Sequence, residues 1–580
     1  MDPLSVAGLA LGGVSLVIQS YEAVMEIYDI YLAVENFAKE YRDIRMCLLI
    51  EKYRLELWAS LVILDHKESQ QRLSPRDANL WGLFELIFNS ILHTLAESNA
   101  AMNALGSRTG LPPQEDAKEH DMIQALTLSA KDKPKWSLSG VHKKIRFVLR
   151  DRKRMDAMIK QLCYFNDSLE KMTSQLHQDS LRRSLRTQFT TKEPSEMPLV
   201  EQAADLLEHR DIQMLASARI VVDEAQKLEQ YSGLEASQAS LDEPPKATGL
   251  QLDRTFLEWK QTPFVTERIR ALATYKSENV IVDWRSCQDD AWRKSRPEAF
   301  RRRTENLTRI LNSDLRPLDL SILHCVGYLN ESKNFTGYAF RLPDHVQPHQ
   351  QHVTLHDLIT KERRPRDLPD LGDRFQLAKA LVSTIFEIGN IGWLHKNISP
   401  RNIIFWPNSK TGEPDITRPY VLGFDTARPN SPNEFSEQPL TRPDDDHYRH
   451  PEYRQPLELG DPRPRSFQPS YDIYSLGVVL FEIGIWRNLA MSQQRPSSRP
   501  TLPAYRSDPN LIKNCMERGG QGELKWHTGR RFADAVGACL DHGFDWFWQD
   551  PLPYDRTVCL QRYLRQVQNK LVDALAVCNA

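Results

Sequence analysis

Cysteine pairs at useful spacing are missing. The 580-residue chain has 8 Cys, at positions 47, 163, 287, 325, 515, 539, 559 and 578, and none forms a C-x-x-C. That excludes a zinc knuckle and a disulfide framework, and it fits a reducing, cytoplasmic setting. No apolar run approaches the roughly 20 residues of a membrane span. Neither sign of charge is in excess: 75 Lys+Arg against 77 Asp+Glu give a formal net charge of -2, which argues against a general nucleic-acid binder. A basic leader is missing from the first apolar run, Leu4 to Ile18, which follows Asp2 and continues as amphipathic helix, so no secretory signal is expected. Glycine is absent from the whole interval between Gly249 and Gly327, where no backbone loop can therefore close tightly onto phosphates. No polar Asn/Gln-rich or Gly-rich tail is expected either, because Arg562 to Ala576 reads as a closing helix.

What is present is globular. Hydrophobic residues make up 41% and charged residues 26%, an ordinary balance for packed domains. Residues 1–215 read as helix nearly throughout. Val34, Phe37, Tyr41, Ile44 and Leu48 repeat at three and four, and Leu55, Trp58, Leu61 and Val62 continue the stripe. Ser74-Pro75-Arg76-Asp77 opens a helix carrying Leu80, Leu83, Phe84, Ile87 and Ile91. A polar loop follows to about Pro134, then a helix from Trp136 to Met172 and another from about Met197 to Leu228. The run His142 to Arg154 is basic on one face, which reads as a solvated bundle face, with anionic lipid as the alternative. The expected organisation is multidomain: an all-α bundle over 1–215, a helix end and linker over 216–250, and an α+β part divided at a hinge into 251–344 and 345–580.

Four short stretches in the second half come in a telling order. They are G-W-L-H-K-N-I-S-P-R-N from Gly392 to Asn402, V-L-G-F-D-T-A-R from Val421 to Arg428, Y-R-H-P-E-Y from Tyr448 to Tyr453, and D-I-Y-S-L-G from Asp472 to Gly477. Together they resemble the catalytic loop, metal loop, segment end and central helix of a protein kinase, implying a two-lobed kinase-like fold. The resemblance implies that His395, Glu452 and Asp472 support the frame. At the chemical positions the chain departs from the pattern H-R-D-x-K-P-x-N and D-F-G: Asn397 stands for the base, Ser399 for the loop Lys and Gly423 for the metal Asp. An amide cannot accept a hydroxyl proton, and losing a general base costs about 10² to 10⁴ in rate. Arg285, in the expected strand Asn279 to Arg285, falls where the phosphate-pairing Lys belongs, and Arg is not its equivalent. Glu305, or else Glu298, is the candidate partner on the helix from about Pro297 to Leu311. Arg285, Asn402 and Asp425 are the candidate nucleotide contacts that remain. With the glycine loop also missing, the expectation is a pseudokinase with no required cofactor and no metal; an atypical, ATP-dependent active kinase is the alternative.

The first half has a resemblance of its own. The opening M-D-P-L-S-V-A-G-L-A-L-G-G-V-S-L-V and the helix from Glu40 to Trp58 resemble the HeLo domain of fungal heterokaryon-incompatibility and prion-inhibition-and-propagation proteins. That family is implicated in programmed cell death through its first helix. The resemblance implies that Leu4 to Ile18, with Gly8, Gly12 and Gly13 permitting close helix contact, is that membrane-acting helix; the plainer reading is a buried central helix at rest, which would meet membrane only after a rearrangement. At about 1.5 Å per residue that run is shorter than a hydrocarbon core. A bundle followed by a pseudokinase also resembles, in architecture alone, the mixed lineage kinase domain-like executioners of animal necroptosis. The function expected is a signalling or cell-death effector: the kinase-like part senses, and the bundle executes by oligomerising or meeting membrane. Its partners would be proteins or further copies of itself, not nucleic acid. A non-enzymatic interaction scaffold is the second alternative.

Overall fold

The structure is a computed structural model. It describes residues 17–26, 28–29, 32, 42–69, 80–94, 152–173, 175–190, 192–234, 249–260, 270–286, 297–312, 320–332, 335–347, 350–361, 368–408, 410–430, 447–450, 453, 467–489 and 521–540. Gly8, Gly12, Gly13 and Glu452 lie outside these, as do the basic run up to 151, the segment 431–446 and the closing helix expected at 562–576. Two compact units divide the chain, Met1–Ser217 and Ala218–Ala580. Among the described residues, no helix is long and apolar enough to cross a membrane.

The first unit is helical. Its spine is α1 (Arg42–Ser69), whose Ile44, Leu48, Leu55 and Trp58 recur at helical spacing and are buried. It packs against α2 (Arg152–Lys171), α3 (Gln175–Thr190) and α4 (Met197–Leu206). Trp58 is the hinge of the packing. Phe84 and Phe88, from the helical residues 80–94, sit 4.7 and 5.8 Å from its ring, and its indole N–H donates to Leu169 O at 3.1 Å. Val17 and Val24, in the helical residues 17–26, are buried as well.

One helix is predicted from about Met197 to Leu228; the structure has two. α4 ends at Leu206, Glu208 takes a left-handed conformation (φ 57°), and α5 (Arg210–Leu234) starts afresh. The His209 N–H closes the turn on Ala204 O at 2.8 Å. The break delivers His209 to a buried charge cluster. Glu51, fully buried, accepts from Arg54 (3.0 Å) and Asn166 (2.7 Å) and meets His209 at 3.0 Å. Arg54 also bonds Asp167 and Glu170. Burial alone would raise the Glu51 carboxyl, but Arg54, His209 and Asn166 outweigh it and hold it down at about 2. Glu51, Cys163 and His209 bring three potential metal-ligating atoms within 4.8 Å of one another. Arg54 Nη1 already reaches all three, at 3.0 to 3.7 Å, so a fixed cation occupies that position.

The second unit mixes helices with antiparallel strands, an α+β arrangement. Its main sheet runs β1-β2-β3-β5-β4, all antiparallel: β1 (Leu257–Trp259), β2 (Arg270–Tyr275), β3 (Glu278–Ser286), β4 (Cys325–Ser332) and β5 (Phe335–Arg341). Strand alternation sorts β3: Val280, Val282 and Trp284 join one apolar cluster, while Ile281 joins the main core on the other face. α6 (Pro297–Asn312) packs on β4. The sequence reads as a strand from Leu320 to Tyr328, but β4 begins only at Cys325, because Ser321 O is taken by the Val421 N–H at 2.7 Å rather than by the sheet.

The rest of the unit is built around α9 (Pro469–Ile485), buried at almost every position. α7 (Leu355–Thr360) and α8 (Leu371–Asn390) precede it, and α10 (Gln521–Thr528) and α11 (Arg530–Leu540) follow. The sequence reads as a helix from Phe375 to Leu394, but α8 ends four residues earlier, at Asn390. Gly392 turns the chain at φ 79°, and Trp393–Leu394 become a strand instead. That strand, β7, pairs with β10 (Arg428–Pro429), while β6 (Val353–Thr354), β8 (Ile403–Phe405) and β9 (Tyr420–Val421) form a three-stranded sheet. The loops linking these short strands carry the candidate site.

Candidate functional site

The loop from His395 to Asn402 is pinned from below. Asp472, in the first turn of α9, accepts from the backbone N–H of His395 (2.8 Å) and of Lys396 (2.9 Å). This holds Lys396 at φ 64°, a conformation an L side chain adopts at a cost of about 1–2 kcal/mol. Burial pushes the Asp472 carboxyl up to about 7, against the pull of those two N–H donors and of Lys396 and Arg428. His395 is fully buried, its ring 4.7 Å from that of Phe424. Its Nδ1 accepts from the Asn397 N–H at 3.3 Å. Ser399 is buried just ahead of the single turn Pro400–Asn402, and its carbonyl accepts from the Asn402 N–H at 3.0 Å.

Asn397, Asn402, Gly423 and Asp425 come together. The Asn397 amide donates to Asp425 Oδ1 at 3.0 Å and to Gly423 O at 3.4 Å. Asn402 Nδ2 donates to Asn397 O at 2.7 Å. Its Oδ1 accepts from Arg270 at 2.7 Å, so both ends of this amide are bonded to protein groups. Gly423 is left-handed (φ 88°), and a Cβ placed there would lie 2.5 Å from the Asn402 side chain. The volume next to residue 423 is filled by Asn402.

Arg270 and Asp283 complete the group. The two stand opposite each other in the β2–β3 ladder and form an ion pair at 3.1 Å, their side chains 11% and 8% exposed. Arg270 also donates to Arg401 O at 2.7 Å, and Asp283 Oδ2 accepts the Gly423 N–H at 2.8 Å. A ring of bonds therefore runs Arg270, Asp283, Gly423, Leu422, Asn402 and back to Arg270, the Leu422 N–H donating to Asn402 O at 2.8 Å. Nearby His352 is driven down to about 4, mostly by burial and then by the Arg270 charge, and is neutral at ordinary pH.

The sequence-selected residues are thus only partly united. Arg285 lies two positions beyond Asp283 in β3, opposite Thr336, and its side chain is outside the described residues. Glu305 is engaged by Arg301 (2.9 Å) on its own helix and by the Tyr328 hydroxyl (3.2 Å). Arg270 and Asp283 were not singled out by sequence. Asp283 carried a signal: it is a carboxylate on the same strand face as buried Ile281. Arg270 carried none, since its importance follows from strand register.

A helical bundle followed by an α+β unit with a tied-off loop cluster is the class these features define. In particular, residues 8–207 match the HeLo family, described as prion-inhibition and propagation, and residues 284–545 match a family described as a domain of unknown function, DUF7580. The chain carries an N-terminal HeLo domain and a C-terminal DUF7580 domain. No curated protein matches it.

Proposed function

We propose that this is a cell-death or signalling effector of the heterokaryon-incompatibility type. In this reading the second unit is a pseudokinase-like module that senses by changing conformation, and the HeLo bundle executes by self-association or by meeting membrane. The HeLo match supports the signalling role. The observation that carries the non-catalytic reading is the ring through Arg270, Asp283, Gly423 and Asn402. Asn402 spends both ends of its amide inside the protein, and residue 423 has neither a carboxylate nor room for one. At positions 402 and 423 this does not suit a magnesium-nucleotide, because Asn402 Oδ1 is bonded to Arg270 and Gly423 has no side chain to ligate the ion.

The test is titration of the full chain with ATP in the presence and absence of Mg²⁺, followed by a phosphate-transfer assay. The expected result is no magnesium-dependent binding and no turnover. Turnover that disappears in Asn402→Ala or Asp425→Ala would instead establish the atypical kinase. For the bundle, leakage of anionic vesicles by the activated full chain, lost when residues 1–18 are deleted, is the expected result. No leakage under any condition would leave an interaction scaffold.

A further inference from the structure

Arg270 and Asp283 stand at a boundary inside the second unit. On one side is the five-stranded sheet; on the other are the helices with their two loops. The sheet face turned to the loops is apolar at Leu272, Ile281 and Phe340, which join the main core. The Phe340 ring lies 6.5 Å from that of Phe424, in the second loop. Strand alternation puts Arg270 and Asp283 on this same face, two positions from Leu272 and Ile281. The apolar face therefore ends in an ion pair, and the pair reaches out of the sheet. Arg270 Nε bonds Asp283, while its Nη1 donates to Arg401 O and its Nη2 to Asn402 Oδ1, both at 2.7 Å. The second oxygen of Asp283 accepts the Gly423 N–H at 2.8 Å. One pair thus grips both loops. The ion pair of Arg341 with Glu278 on the same sheet is different: the two bond each other at 3.0 and 3.2 Å and are each about half exposed.

We propose that Arg270 and Asp283 form a latch that holds the sheet shut on the two loops, and that its release is the conformational change by which the second unit signals. The inference rests on the sensor reading above and names the element that moves. Charge suits the task. Burying an ion pair carries a desolvation cost that the attraction only partly returns. When sheet and loops separate, Arg270 and Asp283 regain water, which offsets the bonds they lose. An apolar contact has no such return on opening. The closed form is then specified by directed bonds, yet the open form stays within reach. Opening would uncover Arg401 O, Asn402 Oδ1 and the Gly423 N–H together.

The experiment is hydroxyl-radical footprinting of the full chain, read residue by residue. Phe340 and Phe424 are the reporters: both are buried, and they lie on opposite sides of the boundary. The main variant exchanges the charges, Arg270→Asp with Asp283→Arg. It keeps an ion pair across β2 and β3 but sets a cation against the Gly423 N–H and a carboxylate against Arg401 O. Oxidation of both rings should rise about threefold. Arg270→Lys keeps the charge and loses the fork, so it should give a smaller rise at the same two rings. Phe375 and Phe532, buried together between α8 and α11, should stay as protected as in the parent. Glu278→Arg with Arg341→Glu, the same exchange in the pair that stays within the sheet, should change nothing. Full protection of Phe340 and Phe424 in both Arg270 variants would overturn the latch. An equal rise at Phe375 and Phe532 in both would also overturn it, because the unit would have unfolded rather than opened. Magnesium-dependent ATP turnover by the parent is a separate outcome: it would remove the sensor reading, and with it the signalling role, while the footprint still decides the latch.

Discussion

Gly423 shows most directly how a single residue decides what the site can be. Its left-handed backbone and the Asn402 amide beside it both exclude a side chain. Placing an acidic residue there should therefore not create a metal site. Gly423→Asp is expected to destabilise the second unit by about 2–4 kcal/mol, from overpacking added to backbone strain. Gly423→Ala should cost nearly as much, because the Cβ itself is the offender. Urea denaturation checks this, and Asn402→Ala in the same chain should recover part of the loss. An unchanged midpoint for Gly423→Asp would contradict the packing described. Glu51 makes the corresponding case in the bundle. Its carboxyl is held at about 2 against an ordinary 4.5. A depressed acid contributes stability that is complete above its ordinary value and is lost as pH falls through the depressed one. The stability difference between the parent and Glu51→Gln should accordingly shrink between pH 4.5 and about 2. Arg54→Met, which leaves Glu51 buried without its cation, should cost about 3–5 kcal/mol at neutral pH.

At the scale of elements, α9 organises the second unit in two ways. Its first turn presents Asp472 to the His395–Lys396 backbone, and its length presents two glycines to neighbouring helices. A Cβ at Gly477 would press on Cys539 of α11, and one at Gly484 on Leu524 of α10. Gly484→Ala is expected to cost about 1–3 kcal/mol by overpacking, even though alanine is the better helix former. A gain in melting temperature would show that α10 yields instead. Asp472→Ala should cost more, about 2–4 kcal/mol, since it orphans two buried N–H groups at once. In hydrogen exchange it should expose the His395–Lys396 amides before the rest of the unit opens.

The whole molecule comprises two compact units, each with its own core. Scanning calorimetry of the full chain should show two transitions. Arg54→Met should lower one and Gly423→Asp the other. A single transition that both substitutions move would mean that the two cores unfold as one. Most of the element pattern was legible beforehand. The stripe through Ile44, Leu48, Leu55 and Trp58, the apolar run of α9 and the alternation of β3 announce themselves by period. The boundary errors were local. Glu208 broke a predicted helix, and Gly392 shortened another, because each turn is fixed by backbone bonds that periodicity does not encode.

Sequence alone established that the positions expected to do chemistry hold Asn397, Ser399 and Gly423, since side-chain identity limits what a group can donate, accept or ligate. It also set the order of a helical half and a mixed half, because hydrophobic period is local. Tertiary structure alone decided that Arg270, Asp283 and Asn402 close on one another around Gly423, and that His209 joins Glu51 and Arg54. The contacts Arg270–Asn402, Asp283–Gly423 and His209–Glu51 each join residues more than a hundred positions apart in the chain. They meet only through strand register and helix packing, which are properties of the folded chain.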